Sequence, residues 1–364
     1  MTNQNYVIRT EALTKSFRRP QKATTLVDRL NPFRSSMEEM VALKPLSLEV
    51  KRGESLAFIG PNGAGKSTTI KILTGILHPT SGEASVLGLV PWRDRVKLAY
   101  RIGSVFGQKS QLWLHLPPVD TFELLSRVYE LDRAKFQARR DELIRLFEID
   151  DYKNVPVRKL SLGQRMRCEI AASLLHEPEI LFLDEPTIGL DPVAKASIRD
   201  LIRRANQETG VTVFLTSHDA GDIESLCKRT VIINQGTSVF DGSTNSLRRD
   251  WLKRKEIDLK LRREIGSESE LRMRLNELGL GEANGVQLIK AKGYGLKFAV
   301  ETEKMGMDRV VGGLLSAYDV EDIVIAAAPL EEIIATIYRD RSGRDRGEGQ
   351  NSPRGAHETE RGDL

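Results

Sequence analysis

Two stretches of this sequence carry residues that could work on a phosphate anhydride. Asp184-Glu185-Pro186 closes an apolar run, Ile180 to Leu183. Adjacent acids at the end of a buried strand are costly unless a cation sits beside them. Mg²⁺ is the obvious cation, with Asp184 as its ligand, directly or through water. Glu185 then faces the attacking water as general base or water-positioner. The second stretch is Gly60, Pro61, Asn62, Gly63, Ala64, Gly65, Lys66, Ser67 and Thr68, a G-x-x-x-x-G-K-[ST] phosphate loop. Its glycines let consecutive backbone N–H groups curl around one anion, and the helix that starts there adds partial positive charge. Lys66 is placed to reach the β- and γ-phosphates, and the Ser67 hydroxyl to ligate Mg²⁺ opposite Asp184.

A second anion site is expected at Leu160-Ser161-Leu162-Gly163-Gln164, where a Ser and a Gly open a helical run from Arg165 to Leu175. Ser161 is equally placed to act as a simple N-cap. Two anion-binding helix starts in one chain suggest two half-sites, and a head-to-tail dimer would join them. His218, at the end of the run Val211 to Thr216, falls on the strand-end face that carries Glu185 and is a candidate γ-phosphate contact. Gln108 ends another apolar run and could see the same metal or water.

These residues need a sheet to hold them. Tyr6 to Leu13, Leu46 to Val50, Ser55 to Ile59, Glu83 to Leu89, Ile102 to Phe106, Ile180 to Leu183 and Val211 to Leu215 read as strands. Lys66 to Leu77 reads as a helix, and between Thr121 and Phe147 the pattern turns helical, with Phe122, Leu125 and Val128 and then Leu143, Leu146 and Phe147 at helical spacing. Short apolar strands separated by helices predict a mostly parallel sheet with helices on its faces, interrupted by an all-helical insertion at about 109–178. Residues 18–40 read as an inserted solvated loop with one amphipathic turn. The first domain, in this reading, covers 1–250. In 251–340 the order β-α-β-β-α-β predicts a small α+β accessory domain of ferredoxin-like type, closed by Ile333, Ile334 and Ile337 on a short helix. Residues 341–364, rich in Gly, Arg and Glu, are expected to be a disordered tail.

Composition narrows the class. The chain has 364 residues, 40% apolar and 29% charged, as in an ordinary globular protein. No apolar run reaches the ~18–20 residues that span a bilayer, and Met1 to Glu11 lacks a signal-peptide core. A formal charge of +4 gives no footprint for nucleic acid. Cys168 and Cys227 have no metal spacing and are expected to be buried apolar fillers.

Taken in order, these motifs resemble the ATP-binding subunit of an ABC transporter. Gly60 to Thr68 is similar to Walker A, Gln108 to the Q-loop, Leu160 to Gln164 to the signature, and Leu181 to Glu185 to Walker B. Gly189-Leu190-Asp191 resembles the D-loop and His218 the switch histidine. Phe17 resembles the aromatic that stacks on adenine, although about twenty extra residues separate it from Walker A. The resemblance covers roughly Tyr6 to Leu247. It implies ATP and Mg²⁺ as ligands, and a dimer in which each Walker A holds ATP against the partner's signature, Ser161, Gly163 and Gln164, with Asp191 nearby. Leu162 stands where that signature usually has glycine, and its backbone N–H can still donate. Val105 to Trp113 and Leu160 to Cys168, with the insertion and the appended domain, resemble the viologen-exporter type.

That group implies export through two separate membrane-spanning permease subunits, with this chain held on the cytoplasmic side of the membrane. An importer subunit would share the fold and chemistry. A soluble ABC ATPase acting on nucleic acid or the ribosome would carry a long coiled coil or a second ATP domain, and neither pattern is present here. Gln111 to Pro118, with Trp113 and Leu116, either folds under the helical insertion or forms a groove for a short helix of the permease.

Overall fold

The computed structural model describes residues 5–20, 37–107, 110–251, 254–266, 268–327 and 334. They fall into two compact units, Met1–Leu247 and Arg248–Leu364. Along the chain come β1 (Tyr6–Pro20), β2 (Met37–Lys51), β3 (Ser55–Ile59), α1 (Lys66–Leu73), β4 (Ser81–Val86), α2 (Arg95–Ala99) and β5 (Ile102–Phe106). Three helices follow, α3 (Pro118–Val128), α4 (Arg133–Leu146) and α5 (Leu162–Ser173). Then come β6 (Ile180–Asp184), α6 (Pro192–Thr209), β7 (Thr212–Thr216), α7 (Ala220–Leu226), β8 (Arg229–Asn234), β9 (Thr237–Ser243) and α8 (Thr244–Trp251).

The six-stranded sheet has the order β5-β6-β7-β3-β8-β9. Its strands are parallel except β9, which turns back antiparallel along β8. The central strands are apolar on both faces because helices or a second sheet cover both. Leu56 to Ile59 and Ile180 to Leu183 are buried along their whole length. Phe182 pairs with Phe214 across β6 and β7, and Phe58 packs on Phe214 with ring centroids 5.3 Å apart. This aromatic row shares its core with Ile70 and Leu73 of α1 and with Leu13, Leu46 and Leu48 of the three-stranded sheet β2-β1-β4. The crossovers all deliver the chain so that Phe106, Asp184, Thr216 and the loop after Ile59 end on one edge, the place where ligands sit on open α/β sheets.

Three expectations need correction. The helix after the phosphate loop stops at Leu73, with Thr74 capping and Gly75 at φ 74°, so Ile76 and Leu77 lie beyond it. The insertion is not a loop at its ends: β1 and β2 continue as a ladder through Arg18–Glu39, Arg19–Glu38 and Pro20–Met37. Residues 21–36 lie outside the described residues. The strand read over Glu83 to Leu89 ends at Val86, where Leu87 turns to φ 54°.

The second unit contains β10 (Arg254–Leu261), α9 (Glu268–Glu277), β11 (Val286–Lys292), β12 (Gly295–Glu301), α10 (Met307–Ala317) and β13 (Val320–Ala327). Its sheet is antiparallel in the order β11-β12-β10-β13. Ile257, Leu259 and Leu261 alternate inward and meet Leu271 and Leu275 of α9 and Val310 and Leu314 of α10 in one core. The tail at 341–364 lies outside the described residues, as do Ile333 and Ile337.

Candidate functional site

The strand ends bring five of the expected residues together. Lys66, at the start of α1, is almost fully buried and folds its ammonium back over its own loop, donating to the carbonyls of Gly60 at 2.6 Å and Pro61 at 3.4 Å. The loop owes its close fit to Gly65, at φ 106°, where a Cβ would stand 2.6 Å from the carbonyl oxygen of Ala42. Burial lowers the Lys66 pKa, and the charges of Glu185 and Asp184 pull it the other way.

Asp184 is held from two sides. Ser67 Oγ donates to its Oδ2 at 3.1 Å, and Thr216 Oγ1, from the neighbouring strand, to its Oδ1 at 2.5 Å. A hydroxyl and a carboxylate facing each other across the loop form an oxygen donor pair of the kind a hard cation such as Mg²⁺ takes. Glu185 leaves the strand direction altogether, with φ 55°, a left-handed backbone that a non-glycine residue adopts at a cost of about 1–3 kcal/mol. The turn ties the Glu185 N–H to the carbonyl of Thr216 at 3.0 Å. Its Oε1 lies 2.8 Å from His218 Nε2. Gly107, at the end of β5, backs onto the same turn, where a Cβ would come within 2.7 Å of the Glu185 carbonyl oxygen.

His218 Nε2 is also 3.0 Å from Lys66 Nζ. One ring nitrogen can donate to Glu185 or accept from Lys66, but not both. Burial and the Lys66 charge lower the His218 pKa against the pull of Glu185 and Asp184, which favours the neutral ring.

Comparison with known proteins agrees with this geometry. Residues 43–188 match the family described as ABC transporter. The ABC transporter ATP-binding protein NatA of Bacillus subtilis is 30% identical over 223 residues, which cover 61% of this chain and 90% of NatA. The chain belongs to the ABC transporter family of ATP-binding proteins. The daunorubicin resistance ATP-binding protein DrrA3 of Streptomyces coeruleorubidus is 37% identical over 57% of this chain and 65% of its own length. At similar identity the cassette matches a Nod factor export ATP-binding protein of Cupriavidus pinatubonensis, 31%, and a methionine import ATP-binding protein of Acinetobacter baylyi, 32%. Among solved structures, the dimeric ATP-binding cassette MJ0796 in a post-hydrolysis state with ADP and Pi superposes with TM-score 0.55 at 26% identity, over 65% of this chain and 98% of that one.

The ABC cassette thus hydrolyses ATP, and cassettes of this family form dimers. Among the described residues, no helix is long and apolar enough to cross a membrane.

The expected signature and D-loop residues of the ABC ATPase make their contacts away from this cluster. Ser161 is the N-cap of α5 and forms a full capping box with Gln164: its Oγ accepts from Gln164 N at 3.2 Å, and Ser161 N donates to Gln164 Oε1 at 2.9 Å. Asp191 caps α6, accepting from Val193 N and Ala194 N at 3.0 and 2.9 Å. Gly163 lies against Ala194 and Gly189 against Leu162, so the signature and D-loop starts touch. Phe17 is half-buried under Lys15 and pairs with Met40, two residues from Ala42 at the phosphate loop. Asn62 and Gly63 are exposed in the loop, Ala64 is buried, and Thr68 is half-buried in the first turn of α1. Gln108 lies outside the described residues.

Several residues that hold the site were not singled out from the sequence. Thr216 is one. Asp222, with no exposed surface, is another, and with it come Thr187, Ser217 and Arg199, all bonded to its carboxylate. A third is Glu169 on α5, almost wholly buried, which accepts from Ser110 Oγ and from Gln111 N at 3.1 Å. Burial raises the Glu169 pKa. Of these, Asp222 carried a readable sign: an acid four residues after His218 on an apolar helix face, where charge is out of place.

Proposed function

We propose that this chain drives export of a substrate through two separate permease subunits, using ATP hydrolysed at a composite site in a head-to-tail dimer on the cytoplasmic side of the membrane. The observation that carries the hydrolysis reading is the placement of Glu185, one residue past the metal-ligand candidate and 2.8 Å from His218. Lys66 and the N–H groups of Gly63 to Ser67 hold the phosphates, and Phe17 stacks on the base. Ser67 and Asp184, with Gln108, hold Mg²⁺, which when bound shields the β- and γ-phosphate charge. Glu185 takes the proton of the attacking water. His218, neutral, donates to the γ-phosphate once Lys66 has moved from its Nε2 to the phosphate oxygens. Ser161, Gly163, Gln164 and Asp191 serve the ATP of the partner copy.

Export rather than import is favoured by the viologen-exporter resemblance of Val105 to Trp113 and Leu160 to Cys168, and by the 37% identity to a resistance protein. The second unit is read as a ferredoxin-like domain, on its element order and its β11-β12-β10-β13 sheet. Trp113 and Leu114 form part of the permease contact. They are 46% and 45% exposed, while Leu112 beside them is buried, so the loop turns two large apolar side chains outward. Its backbone is pinned by Val157 N to Leu116 O at 3.1 Å and Arg158 N to Leu114 O at 2.9 Å.

Glu185→Gln tests the reading. Hydrolysis is expected to fall ~10²-fold or more, with ATP still bound and a nucleotide-bound dimer accumulating in size-exclusion chromatography. A variant that turns over within a few-fold of the parent would remove Glu185 from the chemistry. Uptake of ATP-driven substrate into inside-out vesicles carrying the permeases distinguishes export; uptake only in right-side-out vesicles makes the chain an importer subunit.

A further inference from the structure

We propose that Asp222 is a positioning residue for hydrolysis, tying the Glu185 turn to the His218 turn so that the two side chains meet. The inference rests on the hydrolysis roles given to Glu185 and His218 above. Asp222 sits near the start of α7 with no exposed surface. Its Oδ2 accepts from Thr187 Oγ1 at 2.5 Å and from Ser217 Oγ at 2.6 Å. Thr187 is two residues past Glu185, and Ser217 immediately precedes His218. Both hydroxyl residues are themselves buried, at 2% and 3% exposure.

The other carboxylate oxygen, Oδ1, accepts from Arg199 Nε at 2.6 Å. Arg199 also donates from Nη2 to Asp219 Oδ1 at 2.7 Å, and Lys195 Nζ to Asp219 Oδ2 at 2.6 Å. The Ser217 hydroxyl has its direction fixed, since its oxygen accepts from Asp219 N at 3.0 Å while its proton goes to Asp222. Burying a carboxylate this deeply is costly unless a cation and hydrogen-bond donors fill its lone pairs. Arg199 supplies the cation. The remaining lone pairs are filled by one residue from each of the two turns that carry the reacting side chains. The strand ends are also joined through Thr216, which meets the Glu185 N–H and the Asp184 carboxylate, while the Asp222 carboxylate joins the two turns on the far side of the Glu185–His218 contact, from Thr187 to Ser217.

The experiment is a double-mutant cycle on the full chain: parent, D222N, H218A and D222N/H218A, each with kcat, KM for ATP and melting temperature. D222N keeps the shape but cannot accept from Thr187 and Ser217 on one charged oxygen. The expected result is a fall in kcat of ~10-fold or more with KM within about 2-fold, because the phosphate loop is untouched. In the H218A background the same change is expected to cost less than about 2-fold. Ring ¹⁵N resonances add a spectroscopic readout: those of His218 are expected to shift in D222N while His78, His115 and His176 stay. Should D222N fail to fold, S217A takes its place, leaving the Asp222–Arg199 pair and the Thr187 bond intact while removing the tie to the His218 turn along with the Asp219 N–H to Ser217 Oγ bond. Equal kcat losses in both backgrounds would overturn the positioning role alone. Parental kcat in H218A would strike the role of His218 in hydrolysis, and the tie with it.

Discussion

The two halves of the proposed nucleotide site are finished to different degrees within one copy. On the Walker side, Lys66, Ser67, Asp184, Glu185 and His218 bond to one another, and two of those contacts compete for a single nitrogen, Nε2 of His218. On the signature side, the polar groups of Ser161, Gln164 and Asp191 are spent on their own helix caps. Around those caps stand Leu162, Ile188 and Val193, 44%, 48% and 80% exposed. The first half holds charges waiting for a polyanion. The second is a rigid pair of helix starts ringed by apolar surface, which suits closing over something presented by another copy. On the proposed reading, the difference teaches that catalytic charge and the surface that closes over it are kept on separate elements.

The largest expected effect tests that separation. Lys66→Ala and Ser161→Arg copies are each expected to lose at least ~10²-fold of ATPase activity. Mixed, they form dimers with one intact and one doubly damaged composite site, and partial recovery in a phosphate-release assay is the expected outcome. No recovery, with mixed dimers shown by pull-down on two tags, would mean that the signature serves its own copy.

Next in size is the loop that carries Trp113 and Leu114. Trp113→Ala is expected to lower recovery of the permease subunits in mild detergent by ~10-fold or more while leaving basal ATPase and melting temperature near the parent. An exposed indole gives up little core packing, so a drop of ~3–5 kcal/mol in stability with permease recovery intact would show it to be structural instead.

The smallest effect sharpens the account of the caps. Ser161→Ala removes one half of the capping box and is expected to cost about 1 kcal/mol in urea denaturation of the cassette. Loss well beyond that would mean that Ser161 carries contacts other than its own cap.

How much of this could be read beforehand depends on whether a residue type was dictated by backbone geometry or by tertiary meeting. The phosphate loop was legible because only glycine tolerates φ 106° beside the Ala42 carbonyl, and the Lys-Ser pair must follow at the helix start. The strands β3 and β6 were legible because burial on both faces demands continuous apolar runs. The far ends of β1 and β2 were not. Arg18, Arg19, Glu38 and Glu39 show no apolar alternation, and the ladder there joins oppositely charged positions rather than burying a face. The β8–β9 hairpin also escaped notice, although Gln235 and Gly236, both at positive φ, mark its turn between two strand-forming runs. Thr187, Thr216 and the partners of Asp222 were illegible for a different reason. Their meeting depends on β6 lying beside β7, a fact of strand order that no local pattern states.

The two cysteines, placed deep in the cassette, have a consequence for labelling chemistry. Cys168 on α5 and Cys227 after α7 are buried, and burial pushes the Cys168 thiol up to about 12 and Cys227 higher still. At neutral pH the thiolate that alkylating reagents attack is therefore scarce, and the surrounding core keeps reagent out. The chain has no other cysteine. A single thiol introduced at Val193 would therefore be the one fast-reacting group on the protein, and paired spin labels there would measure the distance between two copies as nucleotide draws them together.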